Sequence, residues 1–532
     1  MSNLNVSNTN NSIGINQVNE TNELNDTHEV IDGAISDSDV PPPPPTTVKN
    51  ENGTNEVDPK KLPEFVDDSD EETPRKGVVG LNNLGNTCYL NSVLQTISNL
   101  DDFRTYLLSG TFVNELKEGV ELEDSLFYQT HRIIKNLWET DQSSLGPRSF
   151  RKKFVEKQQM FLGFEQHDSH EAMQFLLDNL HEEIKKNMDV NISISPELKG
   201  FFDFCDKHYS EVAAYNSFVE SEKKKIKEFE QGKIPEGVEE TEESKQKNAE
   251  FEQMKPKWKN NLKIIDSNPA KALDYFAMKF CKDFSTKYSE IYDFFASIDC
   301  VLTKCPDCNH MSYGFDNKNM ISVEFPELND DKIKESEVFK KLFAEKCEQL
   351  KGKISNEDLI SKMCVSEVKQ KQIFSLNDLL VHNQQARQLD VKNLWNCEVC
   401  EKQVQGLQQC KLYKNPKYLI VHLKRFNHLM IDREVDGRVE KEAVIYKIKN
   451  LVTYDEKINI RHLMINDDGS KMDYEIIGGI NHMGEYNGGH YTNFSKNSDK
   501  WYNYNDHRVN ELHCNGIPLS PNAYMLIYRR CD

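Results

Sequence analysis

Apolar residues recur at two different spacings along this chain. In two segments they lie at positions i, i+3, i+4 and i+7, which is the spacing of one face of an amphipathic helix. In about the last 120 residues they instead form short β-type runs, separated by Gly and Asn turns, that predict strands. The helical positions are Leu90, Val93, Leu94 and Ile97 in the first segment and Met173, Leu176, Leu177 and Leu180 in the second, and the clearest strand-like runs span 418–423 and 524–528.

The N-terminal segment, residues 1–76, lacks either spacing. It is rich in Asn, Ser, Thr and acidic residues and holds few large apolar ones, so burial cannot offset the entropy lost on ordering. We predict a disordered tail, in which the proline run at 41–45 is locally polyproline II. Two alternatives are that this run docks on an aromatic-groove module, or that Ser69, which acidic residues follow, is phosphorylated.

The remainder, residues 77–532, is predicted to form the folded domain. Two stretches within it, about 219–262 and 327–372, are dense in Lys and Glu and predict solvated helical or flexible insertions. No repeat of solenoid period interrupts the pattern.

Composition and charge exclude several classes of function. The 532 residues include 66 basic and 87 acidic ones, and the net charge of −21 argues against a protein that binds nucleic acid through phosphate contacts. The longest apolar stretches fall far short of the roughly 20 residues that span a bilayer, so no membrane association is expected. The N-terminus lacks the basic and apolar regions of a secretory signal, which predicts a cytoplasmic and/or nuclear protein. The 13 cysteines, an odd number in a reducing compartment, favour free thiols, metal ligands or a nucleophile over disulfides.

Cys88 is the candidate nucleophile. It follows a turn-prone loop rich in Gly and Asn and falls in the first turn of the first predicted helix. Unpaired N–H groups and the helix dipole at that position favour an anion and therefore a thiolate. An isolated cysteine is usually a small buried hydrophobic residue, so this hypothesis needs a base and a group that orients the base.

His490 is the candidate base. It follows Gly488 and Gly489, which permit close approach of a ligand, and it begins a strand-like run that turns back into a second aromatic run. Asn505 and Asp506 lie on the predicted partner strand, where either could accept a hydrogen bond from the imidazole. The alternative for this segment alone is a core histidine paired with an ordinary hairpin residue.

Two C-x2-C pairs predict a structural metal site. Four thiolates suit tetrahedral zinc, and the absence of an open coordination position argues against catalytic zinc. The other eight cysteines have no paired spacing and are predicted to be packing residues. The four ligands are Cys305, Cys308, Cys397 and Cys400.

As an ordered set, these segments resemble the ubiquitin-specific protease family of papain-like cysteine proteases. The match covers the cysteine segment 80–95, the histidine segment 474–504 and the closing strand 523–528, within about residues 77–530. The resemblance implies an α+β fold with a papain-like thumb and palm and zinc-ribbon fingers. It also implies a thiol-dependent deubiquitinase that hydrolyses the isopeptide bond after the C-terminal glycine of ubiquitin.

The resemblance further implies residue roles. Cys88 would attack the isopeptide carbonyl, His490 would keep the thiol ionised and then protonate the leaving amine, and Asn83 would stabilise the oxyanion. Where the family commonly has an Asp, this chain has Asn505, followed by Asp506. We expect Asn505 to orient the histidine and Asp506 to assist near the oxyanion or to substitute for Asn505.

The remaining implied roles concern ubiquitin. Asp168 and Glu171 would pair with ubiquitin arginines, although their spacing is also that of a capping box. His482 would line the cleft, or else serve only packing. Gly488 and Gly489 would border a channel too narrow for any tail other than Gly-Gly.

Three other functions remain as alternatives. Asn505 in place of Asp motivates an inactive ubiquitin-binding scaffold. A Gly-Gly channel would also admit another ubiquitin-like modifier. A nucleic-acid reader built on the zinc ribbon is disfavoured by the charge balance.

Overall fold

A computed structural model describes residues 76–531, apart from 189–191, 231–241, 285–286, 352–355, 436–437, 467–468, 470, 487 and 515. The predicted tail therefore lies outside the described residues except for Lys76, as do the proline run and Ser69. Among the helices of the described ranges, none is both long and apolar enough to cross a membrane.

The α-helices are α1 (Cys88–Ser98), α2 (Asp101–Ser109), α3 (Leu126–Glu139), α4 (Arg148–Lys157), α5 (Ser169–Ile184), α6 (Pro196–Glu230), α7 (Glu242–Asp266), α8 (Pro269–Phe284), α9 (Glu290–Phe295), α10 (Asp330–Glu335), α11 (Glu337–Gln349), α12 (Glu357–Lys371) and α13 (Leu376–Asn383).

The strands are β1 (Gly80–Leu81), β2 (Ser144–Leu145), β3 (Ser297–Lys304), β4 (Met311–Lys318), β5 (Ile321–Val323), β6 (Phe374–Ser375), β7 (Arg387–Gln388), β8 (Trp395–Cys397), β9 (Lys402–Val404), β10 (Leu407–Lys414), β11 (Tyr418–Leu423), β12 (Phe426–Val435), β13 (Arg438–Lys447), β14 (Val452–Thr453), β15 (Lys457–Asn459), β16 (Asp473–Glu485), β17 (Gly488–Asn497), β18 (Lys500–Asn505), β19 (Arg508–Leu512) and β20 (Ala523–Arg530).

The largest sheet, which we call the palm sheet, has the strand order β19-β18-β17-β16-β20-β11-β5, with β15 paired to β16. Its neighbours are antiparallel except for β11 and β5. Along β11, Tyr418 and Ile420 join the core that contains α1 and α5, whereas Leu419 and Val421 join a second core on the opposite face. Because both faces of these strands are buried, β11 and β20 read as continuous apolar runs rather than alternating ones. The predicted strands and the α+β class are confirmed.

The two predicted helices form, but α1 differs from the expected amphipathic helix. All of its residues are buried, including the polar Asn91 and Gln95. The polar side chains of α1 are tolerated because they form hydrogen bonds with the backbone and with neighbouring strands. For example, the Thr96 hydroxyl of α1 accepts from the Asn493 amide of β17 at 2.9 Å. The helix that carries Cys88 is therefore held on every side, and α5 packs against it.

A second sheet, the fingers sheet, has the order β4-β3-β10-β7, and the separate hairpin β8–β9 lies beside the loop that joins β3 to β4. The charged stretch at 219–262 lies mostly in α6 and α7, which confirms its helical alternative for the described part. These helices are not wholly solvated. Phe202 of α6 and Leu262 of α7 share a buried cluster with Cys300 and Tyr313 of the fingers sheet.

The stretch at 327–372 is also helical, since it forms α10, α11 and α12. It differs from a purely solvated insertion because it has a small core of its own, formed by Phe339, Ile360, Cys364 and Val365. Among the cysteines predicted to pack, Cys514 is exposed, so that prediction is wrong at this position. Cys514 lies in the irregular segment between β19 and β20, and its side chain is open to solvent.

Candidate active site

The loop before α1 is shaped by one amide side chain. The Asn83 Oδ1 accepts hydrogen bonds from the backbone N–H groups of Gly85 at 3.0 Å and Thr87 at 3.1 Å. Two left-handed residues, Gly85 with φ of 98° and Asn86 with φ of 51°, turn the backbone within this loop. The loop delivers Cys88 as the first residue of α1, where the thiol is buried at 4% exposure.

His490 links the nucleophile to the next strand. It lies near the start of β17, and its Nε2 is 2.7 Å from the Oδ1 of Asn505 at the end of β18. A hydrogen bond with Cys88, aided by the one with Asn505, raises the pKa of His490 to about 9 against the opposing effect of burial. A raised pKa keeps the His490 imidazole protonated at neutral pH, which suits a group that must donate a proton.

The prediction that Asp506 lies on the partner strand is wrong, because Asp506 lies in the turn between β18 and β19. Its φ of 49° is left-handed, so the chain reverses direction immediately after Asn505. The Asp506 Oδ2 accepts a hydrogen bond from the Asn83 amide at 2.9 Å instead of contacting the imidazole. Two adjacent residues therefore hold two different parts of the site.

A cleft lined in part by Asn86 of the loop before α1 and by Tyr491 of β17 has a volume of about 580 Å³. The three predicted ubiquitin-binding side chains Asp168, Glu171 and His482 all lie on its wall. His482 is 4% exposed, and burial lowers its pKa to about 4, so it is neutral. The cleft is thus lined by carboxylates together with aromatic and imidazole side chains.

The two acids differ in what else they contact. Asp168 is the N-cap of α5 and accepts from the His170 N–H at 2.7 Å, while its other oxygen accepts from the Tyr524 hydroxyl. The Glu171 side chain is exposed overall, but partial desolvation of its carboxyl group, followed by repulsion from Asp168, raises the pKa of Glu171. Asp168 therefore caps α5 by accepting from the His170 N–H. The reciprocal hydrogen bonds of a full capping box with Glu171 are not among the described contacts.

Gly488 and Gly489 differ in the space that surrounds them. A Cβ on Gly489 would lie 2.1 Å from the Nε2 of His482, so packing inside the β16–β17 hairpin requires glycine there. A Cβ on Gly488 would meet no atom within 4 Å. Open space beside Gly488 leaves room for a substrate tail, and the narrow channel for a Gly-Gly tail stays a prediction.

The structure adds Gln166, on the cleft wall, and the buried Tyr524, which contacts Asp168, to the residues predicted from the sequence. The Gln166 Oε1 accepts from the Gly489 N–H at 2.7 Å and so joins the segment before α5 to the histidine strand. Tyr524, on β20, donates to Asp168 and packs edge-on against His422. Gln166 stands two residues before Asp168, so its place beside a predicted site residue is a signal in the sequence, whereas the strand pattern around Tyr524 indicates only burial.

The four predicted metal ligands converge. Their sulfur atoms all lie within 4.8 Å of one another, with Cys305 and Cys400 3.8 Å apart and Cys308 and Cys397 3.6 Å apart. A tetrahedral site with Zn–S bonds of about 2.3 Å requires sulfur separations of about 3.8 Å. The donor set therefore fits a metal held by four thiolates, at the tip formed by the β3–β4 loop and the β8–β9 hairpin.

The geometry brings a cysteine, a histidine and an amide into one hydrogen-bonded series on the palm sheet, and four cysteines together at the fingers tip. The family model for "Ubiquitin carboxyl-terminal hydrolase" matches residues 79–528. The chain belongs to this family of cysteine-type deubiquitinating enzymes, which confirms the predicted fold and class of enzyme.

Individual relatives are distant. A probable ubiquitin carboxyl-terminal hydrolase from Acanthamoeba polyphaga mimivirus is 23% identical over 527 residues, covering 89% of this chain and 94% of the viral protein. The Usp2 hydrolase of Drosophila melanogaster is 21% identical over 474 residues, covering 87% of this chain but 36% of its own length. A solved SAGA DUB module with Ubp8, bound to ubiquitin aldehyde, matches with a TM-score of 0.49 at 17% identity, covering 87% of this chain and 71% of that one.

Proposed function

We propose that this chain hydrolyses the isopeptide bond between the C-terminal glycine of ubiquitin and a lysine amine, with Cys88 as nucleophile. The observation that carries the proposal is the continuous series from Cys88 at the start of α1, through His490, to Asn505. A nucleophile, a base and an orienting group in hydrogen-bond contact are what acyl transfer to a thiol requires.

The steps follow from these positions. The Cys88 thiolate adds to the isopeptide carbonyl, and the tetrahedral intermediate collapses as His490 gives its proton to the leaving lysine amine. Ubiquitin then remains on Cys88 as a thioester. His490 next takes a proton from water, the hydroxide adds to the thioester, and collapse releases the ubiquitin carboxylate and restores the thiolate.

Asn83 is the proposed oxyanion donor. Its Oδ1 accepts from the two loop N–H groups and one of its two N–H bonds points to Asp506, and these contacts together fix the orientation of the amide. The second N–H remains for the oxygen that becomes negative. Loss of such a donor typically lowers kcat by about 100-fold to 1,000-fold.

We assign recognition of the ubiquitin tail to the cleft wall. Asp168 and Glu171 supply carboxylates for arginine guanidinium groups, and the Glu171 carboxyl is the better placed because its oxygens are not used by the cap or by Tyr524. His482, Gly488 and Gly489 line the path toward Cys88. The neutral imidazole adds no positive charge that would repel the arginines.

The four-cysteine site is proposed to hold structural zinc, which would fix the fingers tip and take no part in the chemistry. For the location we propose the cytoplasm and/or the nucleus, because the described cysteines are all free thiols and because thiolate ligands need reducing conditions.

A ubiquitin–aminocoumarin substrate tests the proposal. The wild type should release the fluorophore, and Cys88→Ala should not, while both bind ubiquitin. A ubiquitin with a C-terminal electrophile should label the peptide that contains Cys88. Binding without turnover or labelling would favour the inactive scaffold, and turnover only of another modifier's conjugate would favour the second alternative.

A further inference from the structure

The Asp506 carboxylate is held from two sides. Its Oδ2 accepts from the Asn83 amide at 2.9 Å, and its Oδ1 accepts from the Asn91 amide at 2.8 Å. Its backbone oxygen accepts from the Leu81 N–H at 2.8 Å, which fixes the left-handed turn against β1. A carboxylate with each oxygen bound to a different amide cannot rotate without breaking one of these bonds.

Asn91 belongs to the same helix as the nucleophile. It lies one turn after Cys88 on α1 and is 2% exposed. Besides Asp506, its amide nitrogen donates to the Leu81 oxygen at 3.2 Å and approaches the Asn82 oxygen at 3.4 Å. This one amide therefore ties together the nucleophile helix, the backbone just before Asn83 and the carboxylate that orients Asn83.

The geometry points to Asn91 as a positioning residue for the oxyanion donor, acting through Asp506 on Asn83. This inference rests on the proposed function and deepens it. Asn91 does not contact His490 in the described structure, so its loss should change the oxyanion site and leave the ionisation of the thiol largely intact. The Asn91 Oδ1 has no partner among the described residues, so the Asn91 side chain acts on its neighbours through its N–H groups.

The first test compares three variants on the ubiquitin–aminocoumarin substrate. Asn91→Ala should lower kcat by about tenfold to 100-fold with little change in KM, which is less than the effect of removing an oxyanion donor outright. If Asn91 acts through Asn83, the same change in an Asn83→Ala background should cost less than threefold. Full additivity of the two effects would overturn the inference.

Gln95→Ala is the matched control. Gln95 is also 2% exposed on α1 and donates one amide hydrogen bond to a backbone oxygen, that of Val79 at 2.8 Å, without contacting Asp506. It should lose similar stability and keep its kcat. If Gln95→Ala lowers kcat as much as Asn91→Ala, the effect is general to the helix and the inference is wrong.

A site-resolved alkylation separates positioning from misfolding. Reaction of Cys88 with iodoacetamide forms no oxyanion, so the labelling rate of the Cys88 peptide should be the same in wild type and Asn91→Ala. A large change in that rate would place Asn91 in thiol activation or in folding and would contradict the assignment. A wild type that alkylates at Cys88 but hydrolyses no ubiquitin conjugate would instead refute the proposed function.

Asn91→Asp gives a pH signature and keeps the side-chain shape if the alanine variant fails to fold. The introduced carboxyl faces Asp506, and two close carboxyls share a proton as the pH falls. Once protonated, it can donate to the Asp506 Oδ1 as the amide did. The kcat of this variant relative to wild type should therefore rise by several-fold as the pH is lowered from 8 to 6, and a constant or falling ratio would contradict the role of Asn91 as a donor.

Discussion

At the residue scale, the neighbours Asn505 and Asp506 divide the work of the site. Asn505 ends β18 and its side chain bonds to the imidazole. Asp506 has a left-handed backbone conformation, and its own side chain accepts from Asn83 instead. Either residue could accept from the histidine on the basis of the sequence. The backbone conformation at one position is what separates their roles.

The pH dependence of catalysis should report the bond from Asn505. The pKa of His490 is raised to about 9, so the imidazolium persists below that pH and is lost above it. We expect kcat/KM to fall on the alkaline side at about pH 9, because the general acid is then deprotonated. In Asn505→Ala, this alkaline limb should move to lower pH and kcat should fall by about tenfold to 100-fold.

Stopped assays from pH 6 to 10 would measure both effects. Asn503→Ala, in the same strand and without a hydrogen bond to His490 among the described contacts, is the control and should keep the wild-type profile. If Asn505→Ala retains full turnover while Asp506→Ala abolishes it, the orienting residue is Asp506.

Glu171 offers a second prediction at this scale. Because its carboxyl lies on the cleft wall without a partner in the α5 cap, Glu171→Gln should raise KM for the ubiquitin substrate by about threefold to tenfold and leave kcat unchanged. Glu182→Gln, on the same helix but outside the cleft wall, should change neither constant. A fall in kcat without a rise in KM would assign Glu171 to the chemistry instead.

At the scale of elements, the fingers tip brings together four sulfur atoms from two separate segments. Because binding of a structural metal contributes directly to folding, Cys305→Ser combined with Cys397→Ser should lower the melting temperature by about 5 °C or more. Elemental analysis of the wild type should find one zinc per chain. Cys514→Ser, at an exposed thiol, should retain both the zinc and the melting temperature, and a double variant that melts like wild type would refute the structural role.

The elements also show how far the sequence is informative. The start of α1 at Cys88 and the strands 418–423 and 524–528 follow from local spacing, and the two C-x2-C pairs follow from ligand chemistry. Burial of α1 on all sides could not be predicted, because its polar partners come from β17 and from the backbone before the helix. The requirement for glycine at 489 likewise depends on His482 of the neighbouring strand, which the local sequence does not reveal.

At the scale of the whole molecule, the two charged insertions differ in how they join the domain. Side chains of α6 and α7 enter the same buried cluster as the fingers sheet. The helices α10–α12 instead surround a small core of their own. The two insertions have similar charge density in the sequence, but the first packs into the core of the fingers sheet and the second does not. Only the tertiary contacts distinguish them.

This difference predicts unequal tolerance to deletion. The ends of the second insertion lie side by side, since the Asp330 carboxylate and the Lys369 ammonium are 2.5 Å apart and the rings of Phe325 and Phe374 are 5.4 Å apart. Replacing residues 331–368 with a short Gly/Ser linker should keep kcat/KM on the ubiquitin substrate within about twofold, because loop length adds little closure entropy.

Replacing residues 202–265 in the same way should expose the apolar surface of the fingers sheet and lower the melting temperature by about 5 °C or more. Equal stability of the two deletions, measured by calorimetry, would show that α6 and α7 are not part of the fingers core, and a tenfold loss of activity in the first would make α10–α12 a part of the catalytic unit.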